Sequence, residues 1–503
     1  MASPNSQRVN AVATMPRKLG LGHWMRRVLA EYSNACRELH PETVHDLRVA
    51  LRRCRSMADG LMEVDFDPAW RAMKKSGRKL FLRLGELRDT HVMIEWVQKL
   101  TPPGDTAAQT LLASLREREW RVKQQTAVTL ERFDRVQWKA WAKYLAGRYG
   151  RVPLDGPVFR HIALQRWQTA MDLHRRALRN RSRTSWHSLR IGIKRFRYTV
   201  ENFLPSAYAA WGANLKSIQD QLGEVHDLDM LWVALARTGK AFSAVERIRW
   251  QEIIGRERQV RLDAYREKMT GPGSLWNVWR CALPQQDALV SSGLEKLSAW
   301  AAFLDPEFTH ALHVARLALN LFDGLTSSGL PGPYREPRNR LLLHSAALMH
   351  NVGHADGPKG HHKESYRLIR KLTPPIGWTE EDLEMVALVA RYHRGAWPRA
   401  QHPGFASLPP IRRETVLHLG GILRLAAAFD RTHTQAVRKL HVQDQPDALL
   451  IWAQGYRQDA ENARILAAER HLLERALRKP VLIRPRPEGP TRMHLDEAAV
   501  QVA

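Results

Sequence analysis

Apolar residues at Val44, Leu47, Leu51 and Cys54 are separated by three, four and three positions. The same intervals recur at Trp186, Leu189, Ile193 and Phe196. That spacing predicts two amphipathic helices with matched core stripes. One position after each apolar residue stands a histidine or a cation. The first set is His45, Arg48, Arg52 and Arg55; the second is His187, Arg190, Lys194 and Arg197. In phase with the core residues but about 100° round the helix, these side chains form a basic stripe beside the buried face. A solvated face, the commoner fate of a run of charges, would lie opposite the core. A stripe beside the core can line a groove or pore between helices.

Helical periodicity continues from Gly20 to about Lys268. Pro/Gly punctuation breaks it near Pro41, Phe66–Pro68, Pro102–Gly104, Pro153–Gly156, Pro205 and Gly239. Pro41 or Thr43 is expected to open the first motif helix and Ser185 to cap the second. A second echo follows the first: LGELRDTHVMIEWV from Leu84 returns as LGEVHDLDMLWVAL from Leu222. Two homologous helical bundles, about 20–150 and 157–268, produce this pattern. Asp89 and Asp227 occupy matching places, where capping a helix or orienting an arginine is the expected role. Arg78 and Lys79, with Lys74 and Lys75, precede the first LGE, whereas Lys216 stands alone in the matching stretch of the second. Thr270–Gly273, TGPG, reads as part of a linker over 269–289. Residues 290–485 then form another helical region, in which VRKLHVQDQPDALLIWAQG alternates as a hairpin does and PVLIRP reads as a last strand. A loose tail is expected over 486–503. The fold class is therefore mainly α, with a small C-terminal α+β subdomain.

Composition changes this picture in one respect. The 503 residues are 44% apolar, and nowhere do eighteen uncharged apolar residues run together, so no membrane span is predicted. The N-terminal stretch lacks the apolar core of a signal peptide. Cys36, Cys54 and Cys281 are scattered and suggest neither a zinc site nor a disulfide framework. A cytoplasmic protein is expected, and no oligomer signature is present. Charge is more informative. Residues 1–284 carry 50 Lys and Arg against 28 Asp and Glu, while 285–503 carry 28 against 23. A surplus of that size on one half recruits polyanions by steering and counterion release.

The motifs VHDLRVALRRCR…LGELRDTHV and WHSLRIGIKRFRYTVENF…SIQDQLGEVHDLDML resemble the CHAD family, the conserved-histidine α-helical domain, over residues 20–268. The resemblance implies two four-helix bundles around a basic channel that binds inorganic polyphosphate. Rows of guanidinium and ammonium groups suit a flexible linear anion. Carried over by position, the binding set is His45, Arg48, Arg52, Arg55, His187, Arg190, Lys194 and Arg197, with Arg78, Lys79, Arg83 and Lys216 at its margins. Nothing near the two histidines pairs a nucleophile with a base, so no catalysis is assigned to this half.

Histidines cluster in the C-terminal half, at His310, His313, His350, His361, His362 and His393, with Asp430 late in the chain. A histidine, a doublet and a late aspartate follow the ligand order of HD-domain metal phosphohydrolases. In that chemistry imidazole and carboxylate ligands surround an ion that activates water. MHNVG…HHKES…RYHR resembles, more narrowly, the C-terminal HD-like region of the exopolyphosphatase/guanosine pentaphosphate phosphohydrolase family, over about 290–485. The resemblance implies a divalent ion (Mn, Mg, Fe or Zn) held by His313, His350, Asn351 and Asp430, with His362 and His393 as auxiliary phosphate or metal contacts. Two departures count against it. The doublet is His350–Asn351 instead of His-Asp, and Glu364 stands where the family commonly has a second histidine. The Gly-rich phosphate loops that carry hydrolysis in those enzymes have no counterpart here. Polyphosphate binding with an accessory or degenerate HD-like domain is therefore the leading expectation, and association with polyphosphate granules goes with it. The alternatives are a metal-dependent phosphohydrolase acting on polyphosphate or a phosphorylated nucleotide, and nucleic-acid binding. For the last, the motif helices lack the exposed aromatics that stack bases.

Overall fold

The computed structural model describes residues 20–486 apart from 102–103, 238–242 and 358, and the side chains of these except 355 and 356. The tail beyond 486 and the breaks expected at Pro102 and Gly239 lie outside the described residues. The chain divides into two compact units at Ser292/Gly293.

In the first unit the helices are α1 (Leu21–Arg37), α2 (Pro41–Leu61), α3 (Pro68–Ser76), α4 (Arg78–Leu100), α5 (Thr106–Glu131) and α6 (Arg135–Tyr149). They are followed by α7 (Pro157–Asn180), α8 (Arg183–Phe203), α9 (Pro205–Arg237), α10 (Ala244–Met269) and α11 (Leu275–Cys281). Prolines open α2, α3 and α7, where a missing N–H costs nothing. Asp105 and Asp134 accept from backbone N–H groups to cap α5 and α6. A reciprocal Ser243–Glu246 capping box starts α10. The cap of α8 is Ser182, whose hydroxyl accepts from the Ser185 N–H at 3.2 Å. The helix therefore begins one turn earlier than expected from Ser185, which lies within its first turn.

Each motif helix sits in an equivalent place. Helices α1, α2, α4 and α5 pack in succession, as do α7, α8, α9 and α10. Across the repeats α2 packs on α8 and α4 on α9, so the two motif helices and the two LGE helices meet in the middle. The expected core stripes are fully buried, from Val44, Leu47, Leu51 and Cys54 to Leu189, Ile193 and Phe196. Burying each such side chain contributes about 1.5–3 kcal/mol. One core is common to both repeats: Met93, Trp96 and Val97 of α4 pack with Leu228, Leu231 and Leu235 of α9 and Trp250 of α10. The stretch expected as a linker is packed structure instead. Trp276 and Trp279 of α11 are buried, and the Trp167 indole N–H donates to the Trp276 carbonyl at 3.2 Å. Two tryptophans three residues apart make one apolar helix face, which outweighs the TGPG turn before it.

Helix α12 (Gln286–Leu304) crosses the division between the units. The second unit continues with α13 (Phe308–Ser327), α14 (Pro337–Met349), α15 (His361–Ile369), α16 (Glu380–Tyr392), α17 (Pro403–Ala406) and α18 (Pro410–Phe429). Strands β1 (Lys439–Asp444) and β2 (Leu449–Gln454), helices α19 (Ala460–Glu469) and α20 (His471–Leu477), and strand β3 (Val481–Arg486) complete it. Helices α13, α14, α16 and α18 pack on one another. β1 pairs antiparallel with β2, and β3 joins β2 in parallel after the α19–α20 crossover. No helix among the described residues is long and apolar enough to cross a membrane.

The crossing of α2 and α8 makes a checkable demand. A Cβ on Gly60 of α2 would meet Phe203 Cε2 of α8 at 2.3 Å, in a ring already stacked on Phe159. Gly60→Ala should destabilise the protein by about 1–3 kcal/mol through overpacking. Gly223→Ala, at a helical site with nothing within 4 Å, should stabilise it by about 0.5–1 kcal/mol. Urea denaturation followed by tryptophan fluorescence distinguishes the two signs.

Candidate functional site

Because α2 and α8 cross with their basic stripes beside the core, the cations of both helices converge and lose water. The guanidinium groups of Arg48, Arg52, Arg190 and Arg197 each have a buried Nε–H with no hydrogen-bond partner in the protein. The buried Tyr198 hydroxyl is likewise without one. Arg52 and Arg197 lie over the Tyr198 ring, at 5.6 and 5.7 Å from its centroid, and Arg48 over Phe81 of α4 at 5.4 Å. An unpaired buried N–H on a charged group costs more than the ~1–3 kcal/mol of a neutral one. Four together make a site whose hydrogen-bonding capacity is directed at something other than this chain.

The electrostatics agree. Lys194 is pushed down to about 7 by burial and by Arg190, Arg52 and Arg48. Burial and the same arginines press one another's basicity down at Arg48 and Arg52. Two carboxylates face this cluster. Asp227 is pushed up to about 6 by burial, against the pull of Arg190 and with the push of Asp89. Asp89 in turn is the chief opposite charge at Arg48. The pairs Arg48–Asp89 and Arg190–Asp227 thus repeat the internal duplication in space.

His187 and His226 bring their Nδ1 atoms to 3.3 Å. His226 is pushed down to about 4 by burial, Arg190 and His187. His45 is lowered by burial, Arg88 and Arg52. Both motif histidines therefore stay neutral at pH 7, able to donate one hydrogen bond without adding charge.

The expected set is thus brought together at His45, Arg48, Arg52, His187, Arg190, Lys194 and Arg197. Arg55 is partly engaged: it donates to the Lys74 carbonyl at 2.6 Å, lies over Phe81 at 5.2 Å, and has Arg78 nearby. Arg83 is not a free cation, because it pairs with Glu86 at 2.6 Å. Lys79 and Lys216 are exposed. Sequence reasoning passed over His226 and Tyr198 and gave Asp227 a structural role. His226 matches Arg88 in the other LGE copy, so aligning the copies residue by residue was the available signal.

The second unit holds a separate cavity of about 100 Å³ where α13, α16 and α18 meet the turn after α14. His350 and His393 are buried, and each Nδ1–H donates to a backbone carbonyl, Ala347 at 2.7 Å and Ala390 at 2.6 Å. With its Nδ1–H committed, His393 accepts at Nε2 from the His361 Nε2–H at 3.2 Å. His310 makes a 2.8 Å bond to Asp430 and lines the cavity, with His433 stacked on it at 3.8 Å. This corrects the expected metal set. His310, and not His313, meets Asp430. His313 does not line the cavity and instead accepts from Arg316 at 2.8 Å. The two lie one turn apart on α13, and both spacings suited a ligand.

The residues present do not fit a divalent ion. Asn351 lines the cavity without negative charge. Asp430 has one oxygen on His310 and the other on the Gln435 N–H. Among the described residues no group of three or more His, Cys, Asp or Glu is arranged to hold a metal. Arginines at 394, 424 and 431 line the same cavity; Glu469 pairs with Arg424 and, at 3.9 Å, with Arg431. His362 is half-buried near the His393 ring, 6.4 Å between centroids.

Comparison with known proteins places both halves. The family model of the CHAD domain matches residues 21–236. That of the Ppx/GppA phosphatase, domain III, matches residues 300–472. A solved structure, the CHAD domain from the plant Ricinus communis, is 22% identical, covers 52% of this chain and 89% of its own, and has a TM-score of 0.37. No curated protein matches the chain.

Lys194 provides a test that needs no ligand. Its pKa of about 7 lies below the unperturbed ~10.4, so burial of the charge destabilises the fold fully below pH 7, and less as pH rises to about 10.4. Lys194→Met should therefore raise stability near pH 6 by about 1–4 kcal/mol. The gain should shrink steadily towards pH 10. Thermal unfolding of both proteins across that range checks it; a gain independent of pH would mean that Lys194 is not desolvated.

Proposed function

We propose that this chain, which joins a CHAD domain to a Ppx/GppA-type domain III, binds inorganic polyphosphate in the channel between α2 and α8. One observation carries the reading: four arginine Nε–H groups, two from each motif helix, are buried without a partner. Along a helix, Arg48, Arg52 and Arg55 recur every four and three residues, about 6 and 4.5 Å apart in rise. A linear phosphate polymer offers an acceptor oxygen to each in turn, and its charge offsets the mutual repulsion of the cluster. A folded protein or a single small anion would satisfy one end of the row and leave the rest desolvated. A cytoplasmic protein associated with polyphosphate granules follows from this reading.

A second reading, that the second unit is a degenerate HD-type metal site, is favoured by His310, His350 and His393. Each has one ring nitrogen anchored, the arrangement that orients ligand histidines. What the site lacks is an anionic donor at Asn351.

Labelled polyphosphate titrated by fluorescence anisotropy tests the first reading. Arg52→Glu with Lys194→Glu should weaken binding by about 100-fold or more and flatten its salt dependence. Arg83→Gln, which removes a cation already paired with Glu86, should change affinity less than about twofold. Equal effects of the two variants would sink the channel. Because a bound phosphate raises the Lys194 pKa above about 7, binding should be strongest below pH 7 and weaken as pH rises through the bound value.

The second reading has its own measurement. Asn351→Asp should bring stoichiometric manganese or iron into the purified protein, read by elemental analysis, where the parent has none. Failure to gain metal would count against it.

A further inference from the structure

The three-stranded sheet of the second unit has one face in the core and one turned outward. Leu440, Leu449, Ile451, Ala453 and Val481 alternate onto the buried face. There α13 approaches so closely that a Cβ on Gly324 would lie 2.7 Å from Val442. The strand register fixes what the other face carries. Lys439, Gln454 and Arg486 form one cross-strand row; His441, Trp452 and Arg484 form the next. Gln443, beside His441 along β1, donates no charge but accepts the Trp452 indole N–H at 3.3 Å.

Lys439, Arg484 and Arg486 are exposed, and His441, Trp452 and Gln454 are half-buried. None of the three exposed cations has an ion-pair partner among the described residues, and neither cross-strand row contains a carboxylate. Burial, then Arg486 and Lys439, lower the pKa of His441, which agrees with the closeness that the register gives. Trp452 thus has His441 on one neighbouring strand and Arg484 on the other, at the ~4.8 Å strand spacing, with Lys439 and Arg486 in the next row. Neither the histidine cavity nor the channel of the first unit uses these residues.

We propose that this sheet face binds single-stranded nucleic acid, with one base stacked on Trp452 and the flanking phosphates on Lys439, Arg484 and Arg486. Charge complementarity calls for a polyanion, and the aromatic residue selects among polyanions. Every nucleobase has a face to lay on an indole, whereas an inorganic phosphate chain has none and would leave Trp452 without a role. Gln443 and Gln454 place amide donors and acceptors beside the platform, suited to the edges of an unpaired base. A duplex hides its base faces and cannot use the site. Two rows on three strands span about 7 Å by 10 Å, room for about two nucleotides, so the affinity is modest and non-specific in sequence.

The channel of the first unit must be silenced so that it does not mask the result. The full chain carrying Arg52→Glu and Lys194→Glu is titrated with a fluorescein-labelled ten-nucleotide oligouridine at fixed ionic strength. Binding is expected to persist in this background. Trp452→Ala should weaken it by about tenfold, within the ~1–3 kcal/mol of one stacked base, while Trp452→Phe should retain most of it. Arg484→Gln with Arg486→Gln, two exposed positions that do not threaten folding, should weaken it and lower the salt slope by about two. Ultraviolet crosslinking should attach the oligonucleotide to the Leu449–Gln454 strand. Loss of oligouridine binding with the channel variant alone, equal losses for Trp452→Ala and Trp452→Phe, or displacement by inorganic polyphosphate at equal phosphate concentration would each overturn the proposal. None of those results bears on polyphosphate binding by the parent channel.

Discussion

The first unit is organised around a repulsion. Arg48, Arg52, Arg190, Arg197 and Lys194 are held together out of water, with Asp89, Asp227 and, 3.6 Å from Arg197, Glu201 as their near counter-charges. Left alone, such a cluster favours separation of α2 from α8, because each cation loses hydration and gains a like neighbour. The crossing persists because apolar contacts around it resist that separation. The matched core stripes bury on one side of each helix, Phe203 closes against Gly60, and α4 and α9 share a core anchored by Trp96 and Trp250. The channel is therefore strained by its own chemistry and restrained by its surroundings. On the reading proposed above, this relation preorganises a polyanion site: the cost of gathering the donors is met during folding and is absent when ligand arrives.

Duplication explains how such a cluster arises from one helix type. A single motif helix has its basic stripe at the edge of its core stripe, open to water on one side. Two copies packed face to face close that side, and each stripe becomes the other's wall. The symmetry is imperfect in a useful way. Position 52 is an arginine that stays charged, whereas its counterpart at 194 is a lysine whose proton is loosely held at neutral pH. In the LGE helices, Arg88 on one side corresponds to His226 on the other. One wall of the channel is thus permanently cationic and the other responds to pH and to what is bound.

Much of this was legible in the sequence, and the reason is periodicity. Intervals of three and four residues determine both the buried stripe and the phase of the basic one, so Arg48, Arg52, Arg190 and Lys194 could be placed before any packing was known. What escaped depends on partners remote in sequence. Tyr198 is one residue beyond Arg197 and reads as an ordinary aromatic; its role appears when Arg52 from another helix lies over its ring. His310 and His313 are both buried on one helix, and the choice between them is made by Asp430, over a hundred residues later. Trp276 and Trp279 form a short helical face whose partner, Trp167, lies over a hundred residues earlier, so the TGPG turn before them is the louder local signal. Local pattern fixed the elements; pairing between distant elements decided which side chains act together.

The two units solve the same electrostatic problem in opposite ways. The basic cluster leaves four arginine Nε–H groups without a partner, which on the reading proposed above favours a ligand with many negative charges in line. The second cavity neutralises itself from within. Its imidazoles are buried with their Nδ1–H groups committed to backbone carbonyls, Asp430 is absorbed by His310, and Glu469 accompanies Arg424 and Arg431. In a site with a charged His-Asp doublet, the carboxylate would leave a net negative charge for an ion to balance. Replacing that carboxylate by Asn351 removes the imbalance, and with it the drive to take up a cation. A hydrogen-bonded histidine cluster that is already near neutral can remain folded and tightly packed without metal. Retention of the histidines is thus compatible with loss of the chemistry they resemble, because their present bonds are structural: those to Ala347 and Ala390 close the C-terminal ends of α14 and α16, and His310–Asp430 joins α13 to the end of α18.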